Sequence, residues 1–284
     1  MPSFKIVVAY DGTDFVGWQR QASGISIQGL LEDALRALDD REVTVTGAGR
    51  TDAGVHALEQ VAAFSLERAI DPATLVRALN AQLPDSVRAL SAAEVPAAFN
   101  PRFNARAKTY RYRIWNGPVL SPFERRYAWH VPGALDVGAM AAAARRLEGR
   151  HDFGAFQAAG SDVTTTERTI FSSKLFTTEN LSTTGDAEDT EEKTFSLTGL
   201  SLRVLRGGDF HGGELICYEI TGDGFLRHMV RAVVGTLVEI GRGRRRVEWI
   251  DEVLASRDRS AAGPTVPAAG LFLVAVDYSD APCE

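Results

Sequence analysis

The apolar positions fall into short β-branched runs and longer stretches with helical spacing. Phe4-Lys5-Ile6-Val7-Val8-Ala9-Tyr10 is a short run closed by the turn residues Asp11-Gly12-Thr13, which predicts a buried strand. Ser26 suits an N-cap. After it, Ile27, Leu30, Leu31, Ala34, Leu35 and Leu38 recur at helical intervals and form one apolar stripe. Val43–Thr46 and Gln60–Leu66 predict two further strands. Asp71-Pro72 supplies a cap and a first-turn proline for a helix to about Leu79; Leu83-Pro84-Asp85 ends it, and Val87–Leu90 begins a strand. Roughly the first 95 residues thus read β-α-β-β-α-β, a split βαβ arrangement.

The second half repeats this pattern less clearly. Tyr110-Arg111-Tyr112-Arg113-Ile114-Trp115 carries aromatic and aliphatic side chains at even positions and predicts a strand. Val137–Leu147 is Ala-rich and helical in pattern, Phe195–Leu205 and Leu215–Thr221 predict strands, and Phe225–Ile240 predicts a long helix stopped by Gly241. Trp249–Ala255 predicts another helix, and Leu271–Val276, apolar throughout, a buried closing strand. The expected fold is α+β, with an N-terminal lobe over 1–98 and a C-terminal lobe over 99–284, joined near 96–104. Thr177–Thr194 is rich in Thr, Ser, Glu and Asp and has too few apolar residues to offset ordering entropy, so it reads as a flexible acidic insert or as a hairpin tip.

Composition narrows the classes. The 284 residues, 45% hydrophobic, suffice for a full core, and no run of about 18 apolar residues is present to span a membrane. The opening Met1-Pro2-Ser3-Phe4-Lys5 lacks the layout of a signal peptide. Cys217 and Cys283 form no ligand spacing and fit a reducing cytoplasm, and the five histidines show no paired metal motif, so no metal is expected in the chemistry. The net charge of −6 is awkward for a nucleic-acid partner until its placement is read. Residues 99–150 hold ten Lys/Arg against three Asp/Glu, residues 224–246 six Arg against one Glu, and residues 177–193 six acids against one Lys. The basic stretches permit RNA binding; as solvated surface faces they need no ligand.

Chemistry concentrates in Gly47-Ala48-Gly49-Arg50-Thr51-Asp52-Ala53-Gly54-Val55-His56-Ala57. Three glycines in eight residues let the backbone turn tightly around Arg50 and Asp52. Asp52 is either a reactive carboxylate carried on a loop or the capping residue of a turn.

Gly49–Ala57 resembles at every position the G-R-T-D-x-G-V-H-A motif of the TruA family of tRNA pseudouridine synthases. Ala9–Thr13 with Phe15, Gly17-Trp18-Gln19 and Gln21, and Ser26–Gly29 with Leu31-Glu32, are similar to its opening strand and first helix. Leu79-Asn80 with Leu83-Pro84 resembles its second helix end, and Phe99, Arg102, Ala105 and Lys108–Tyr112 its second catalytic strand. Gly149–Phe153, Phe156 and Arg168–Ile170 follow in order, as do Phe225–Arg231 with Gly235 and Gly241, and Gly270–Tyr278. The resemblance spans nearly the whole chain; the acidic insert departs from it.

The resemblance implies two split βαβ lobes of RNA-recognition or ferredoxin-like kind, with mainly antiparallel sheets meeting at a central catalytic cleft. It implies isomerisation of uridine to pseudouridine at positions 38, 39 and 40 of the tRNA anticodon arm, by a cytoplasmic homodimer without cofactor or membrane. The C1′–N1 bond breaks through an electron-poor sugar, as in glycoside cleavage. Asp52 falls at the catalytic position, to attack C1′ or take the C2′ proton. A carboxylate in a dry pocket drifts towards its neutral form and needs a cation, a role that falls to Arg231. Tyr110 falls at the tyrosine that stacks on the target base and helps in proton transfer at C5, with Tyr112 in support. Arg50 falls where a guanidinium contacts RNA backbone or displaces the base, beside Thr51. Arg227, on the same predicted helix as Arg231, is a further substrate contact. Arg242 and Arg244 read as tRNA backbone contacts or as cations complementing the helix dipole. His56 reads as a packed loop residue or a substrate contact, and His151 with Asp152 as a structural loop. A tRNA-binding module without chemistry and a nucleoside hydrolase are the competing functions.

Overall fold

Strand β1 (Ser3–Tyr10) buries every second residue, with Phe4, Ile6 and Val8 fully enclosed, because alternate side chains of a strand face opposite sides. These belong to a computed structural model that describes residues 1–158, 164–177 and 213–278. Helix α1 (Ile27–Asp39) starts where the Ser26 hydroxyl accepts from the Gly29 N–H at 3.2 Å, and it ends at Asp40, whose φ of 55° is left-handed. Its stripe of Ile27, Leu31, Ala34 and Leu35 joins the same core as β1. Helix α2 (Pro72–Gln82) is capped by Asp71, which accepts from Thr74 N–H at 2.9 Å.

Strand β2 is only Thr46–Gly47, later and shorter than the Val43–Thr46 pattern predicts. Val43 and Val45 are buried, but side chains of α1 take the Val45 backbone: its carbonyl accepts from Gln28 Nε2 at 3.0 Å and its N–H donates to Glu32 Oε1 at 3.3 Å. Those bonds replace ladder bonds. Strand β3 (His56–Ser65) begins four residues before the expected start at Gln60 and takes in His56.

The remaining strands are β4 (Val87–Val95), β5 (Ala107–Asn116), β6 (Trp129–Val131), β7 (Gly149–Asp152), β8 (Glu167–Thr177), β9 (Glu214–Gly222) and β10 (Leu271–Asp277). Among the described residues they form one sheet in the order β4-β1-β3-β10-β5-β9-β8-β7, with β2 on β3 and β6 on β5. Neighbours are antiparallel except β3–β10 and β5–β6. The α+β class follows from this mixture. The two halves share one sheet, because β10 enters between β3 and β5. The core is continuous too: Phe4 and Leu31 belong to the same apolar cluster as Ile220 and Leu237.

In the second half, α3 (Val137–Arg145) packs on α4 (Met229–Gly241), and α5 (Trp249–Ser256) follows. Helix α4 starts at Met229, not Phe225, because His228 takes a left-handed φ of 62° through which a right-handed helix cannot run. Arg227 is therefore outside the helix and does not share a helical row with Arg231. The acidic stretch from residue 178 to 194, and the strand predicted over 195–205, lie outside the described residues; Thr177 ends β8.

One detail of β3 sets up the site. Its Ala62 and Ala63 pair with Gly47 and Thr46 of β2, whereas its His56 and Ala57 pair with Phe272 and Leu273 of β10, on the edge away from β1. The loop over 48–55 leaves the sheet in the gap between these two partners.

Candidate active site

The 48–55 loop is held by backbone and buried side chains on both flanks. Ala48 N–H donates to Val61 O at 2.8 Å, and the buried Gln60 amide donates to Gly49 O at 2.9 Å. Trp18 N–H donates to Thr51 O at 3.0 Å, and the Thr51 hydroxyl shares a 2.8 Å hydrogen bond with Tyr10 OH. Burial pushes the Tyr10 phenol up to about 12. Within the loop Val55 N–H closes a turn onto Asp52 O at 3.1 Å, and Gly54 supplies a φ of 76°. Gly17, at φ 106°, lies so close that a Cβ there would meet Thr51 O at 2.6 Å. Each bond contributes about 1 kcal/mol net, and together they fix the loop backbone that carries the partly exposed Asp52 between the exposed Arg50 and Ala53.

The Asp52 side chain is 31% exposed. Arg231 Nη1 stands 3.7 Å from its Oδ2, and His228 Nε2 3.4 Å from the same oxygen. These are charge contacts rather than tight hydrogen bonds. Attraction at this range, about 1–4 kcal/mol before desolvation, is enough to orient a carboxylate. Arg231 is itself anchored: its Nε donates to Val266 O at 2.7 Å. His228 is the neighbour that sequence reasoning missed. Burial, then Arg231, Arg227 and Arg259, hold its imidazole below the usual histidine range against the pull of Asp52. Its sequence signals are a place inside the Phe225–Arg231 stretch and an i,i+3 spacing to Arg231 on the predicted helix; neither says that Asp52 is the group it meets.

Tyr110 arrives from β5. It is 8% exposed, and its ring meets Phe225 edge-on with centroids 5.0 Å apart. Burial, then the charges of Tyr10 and Asp52, raise its phenol well above the ordinary tyrosine value. Among the described residues nothing hydrogen-bonds its hydroxyl. Tyr112, two residues on, is fully buried beneath the site; it donates to Pro267 O at 2.7 Å and does not reach the cleft. Its bond fixes the same segment that anchors Arg231.

The other expected site residues divide. Arg50 is exposed beside Asp52, and Thr51 is buried in its bond to Tyr10. His56 is 1% exposed. Its Nδ1 accepts from Gly12 N–H at 3.0 Å, so Nε2 carries the proton and faces the carbonyls of Arg126 at 2.9 Å and Ala269 at 3.1 Å. It stacks on Phe272 at 4.6 Å and ties the first half to β10, out of reach of a substrate. Arg227 is exposed and its carbonyl accepts from Ala158 N–H. Arg242 and Arg244 both pair with Glu239 at the C-terminal end of α4, the opposite end from Met229 and separated from it by about 20 Å of helix. His151 and Asp152 lie in strand β7 rather than in a loop: His151 bonds Glu148 O, and Asp152 accepts from the Thr166 hydroxyl and Gly154 N–H, so both have structural partners.

Among the described residues no group of three His, Cys, Asp or Glu side chains is placed to hold a metal ion, and no helix is long and apolar enough to cross a membrane.

Comparison with known proteins matches the chain to a family by sequence. A family model described as tRNA pseudouridine synthase matches residues 6–104 and 143–279. The tRNA pseudouridine synthase A of Myxococcus xanthus is 42% identical over 282 residues, covering 99% of this chain and 94% of that protein. The proteins of the same name from Moorella thermoacetica and Pelobacter propionicus are 43% and 40% identical over 280 and 278 residues, each covering 98% of this chain and all of the relative.

Proposed function

The chain belongs to the tRNA pseudouridine synthase family, and we propose that Asp52 carries its reaction. The reaction isomerises uridine to pseudouridine. The C1′–N1 bond breaks, the C1′–C5 bond forms, C5 gives up a proton and N1 gains one. The sum is an isomerisation, so it balances without a co-reactant. Asp52 meets the electron-poor sugar either by attack at C1′ or by removing the C2′ proton. Arg231 pairs with it and Tyr110 stacks on the target base, which must leave its neighbours to enter the cleft. Burial keeps the Tyr110 phenol protonated, and its hydroxyl, at once donor and acceptor, assists the proton transfer at C5. Arg50 contacts the RNA strand at the mouth of the cleft, with Arg227 beyond it. Arg242 and Arg244, remote from the chemistry, suit contact with the phosphate backbone of a tRNA body.

The observation that carries this reading is the meeting of Asp52, Arg231 and Tyr110 from three separate elements, with Asp52 still 31% exposed. We place the targets at positions 38, 39 and 40 of the anticodon arm and the active form as a cytoplasmic homodimer with tRNA across both subunits. Unmodified tRNA transcripts treated with carbodiimide and read by primer extension test the reading. Wild-type protein is expected to give stops at 38–40, and Asp52→Asn to lose them, a loss on the order of 10³-fold or more in rate. Equal activity in the variant would move the chemistry away from Asp52.

A further inference from the structure

Lys108 lies two residues before Tyr110 on β5, so both side chains leave the same face of the strand, about 6.7 Å apart along it. Its ammonium reaches the loop of Asp52: Nζ stands 3.7 Å from where a Cβ on Gly49 would be. Among the described residues this partly buried cation has no hydrogen bond and no ion pair. The charged groups that act on it are Arg102 from the segment before β5, Arg168 at the start of β8, and Asp223 just after β9; Arg50 follows Gly49 in the loop. Asp223 is already engaged by Thr169 N–H at 3.0 Å. Two arginines and one carboxylate thus act on Lys108 electrostatically, and Arg168 is placed beside Asp223 by its Nε, 3.3 Å from where a Cβ on Gly224 would be. An unpaired ammonium among other cations is an unfavourable arrangement in the free protein, and burial together with Arg102 and Arg168 lowers Lys108 to about 8. An anion is the ligand that relieves it.

We propose that Lys108, flanked by Arg102 and Arg168, is the binding site for a phosphodiester of the RNA strand directly adjacent to the uridine held at Tyr110. The proposal rests on the reading of Asp52 and Tyr110 given above. The strand step between Lys108 and Tyr110 matches the reach from a base to a neighbouring backbone phosphate. A flexible ammonium grips a phosphate as a point charge, without base specificity. Its sign with pH is fixed: the cation is present below about pH 8 and lost above it, so tRNA binding weakens as pH rises through that value.

Steady-state kinetics on tRNA transcripts with wild-type protein, Lys108→Met and Lys108→Arg test this. Lys108→Met is expected to raise KM about tenfold with little change in kcat, and to reduce the slope of log KM against log salt by about 0.7–0.9. Wild-type KM is expected to climb above pH 8, and Lys108→Arg to keep it flat to pH 9. Lys108→Met is also expected to melt no lower than wild type, since it removes an unfavourably placed charge; this separates lost binding from lost folding. An unchanged KM and salt slope in Lys108→Met, or a loss confined to kcat, would overturn the proposal. Wild-type protein that forms no pseudouridine would instead overturn the functional reading beneath it, and this site with it.

Discussion

Tyr110 and Tyr112 show how two residues of one type, on one face of one strand, acquire different jobs. Tyr112 finds the Pro267 carbonyl and is fully enclosed; among the described residues Tyr110 finds no acceptor, and it remains 8% exposed. The Tyr110 ring is supported edge-on by Phe225, so removing only its hydroxyl leaves the stacking surface intact. Tyr110→Phe is therefore expected to bind tRNA like wild type but turn over about 10²-fold more slowly, as befits loss of one group that assists proton transfer. Tyr110→Ala is expected to weaken binding as well. Filter binding and single-turnover rates separate the two effects. A Tyr110→Phe variant as fast as wild type would reduce the residue to a stacking platform. His56 is the counterpart lesson: it sits in the most recognisable stretch of the chain, yet both its ring nitrogens are consumed by backbone groups.

At the scale of elements, the site depends on the close approach of two loops, 11–18 and 48–55. Gly12 and Gly17 both lie against the backbone of the Asp52 loop, and Gly17 also has a positive φ. Gly17→Ala adds crowding against Thr51 O to left-handed strain. Gly133 has a positive φ of 87° with nothing within 4 Å, so Gly133→Ala reports the strain alone. The strain costs about 1–2 kcal/mol, and Gly17→Ala is expected to cost more than Gly133→Ala and, unlike it, to slow turnover by shifting Asp52. Melting temperatures beside rates check this; equal behaviour of the two variants would mean the contact is slack. The late start of α4 belongs to this scale as well. The apolar pattern runs on from Phe225, but His228 breaks it, and the break delivers the histidine to Asp52.

Across the whole molecule, β10 welds the halves: it pairs with β3 on one side and β5 on the other, and the core runs through both. Such a chain is expected to unfold as one cooperative unit despite its two βαβ halves. Leu273 is fully buried in the weld, and Leu273→Ala is expected to cost about 2–5 kcal/mol. Variants keeping only Trp18, in the first half, or only Trp129, in the second, allow urea unfolding to be followed in each half. The two curves are expected to coincide and to shift together when Leu273 is truncated. Separate midpoints would show that each half folds on its own.

The local features were legible without coordinates because their physics is local. The caps of α1 and α2, the alternation of β1 and β5, and the glycine-rich turn around Asp52 each depend on residues within a few positions. The order of motifs along the chain was enough to identify its kind. The placement of β10, the shortening of β2 by Gln28 and Glu32, the distant partners of the packed His56, the burial of Tyr112, and the approach of His228 and Lys108 to the Asp52 loop were not legible. These depend on partners far away in sequence, and a hydrogen-bonding side chain carries no local mark of which distant group will satisfy it. The residue types for the chemistry were thus written in the chain, and their assembly into one cleft was decided by the strand that returns last to the middle of the sheet.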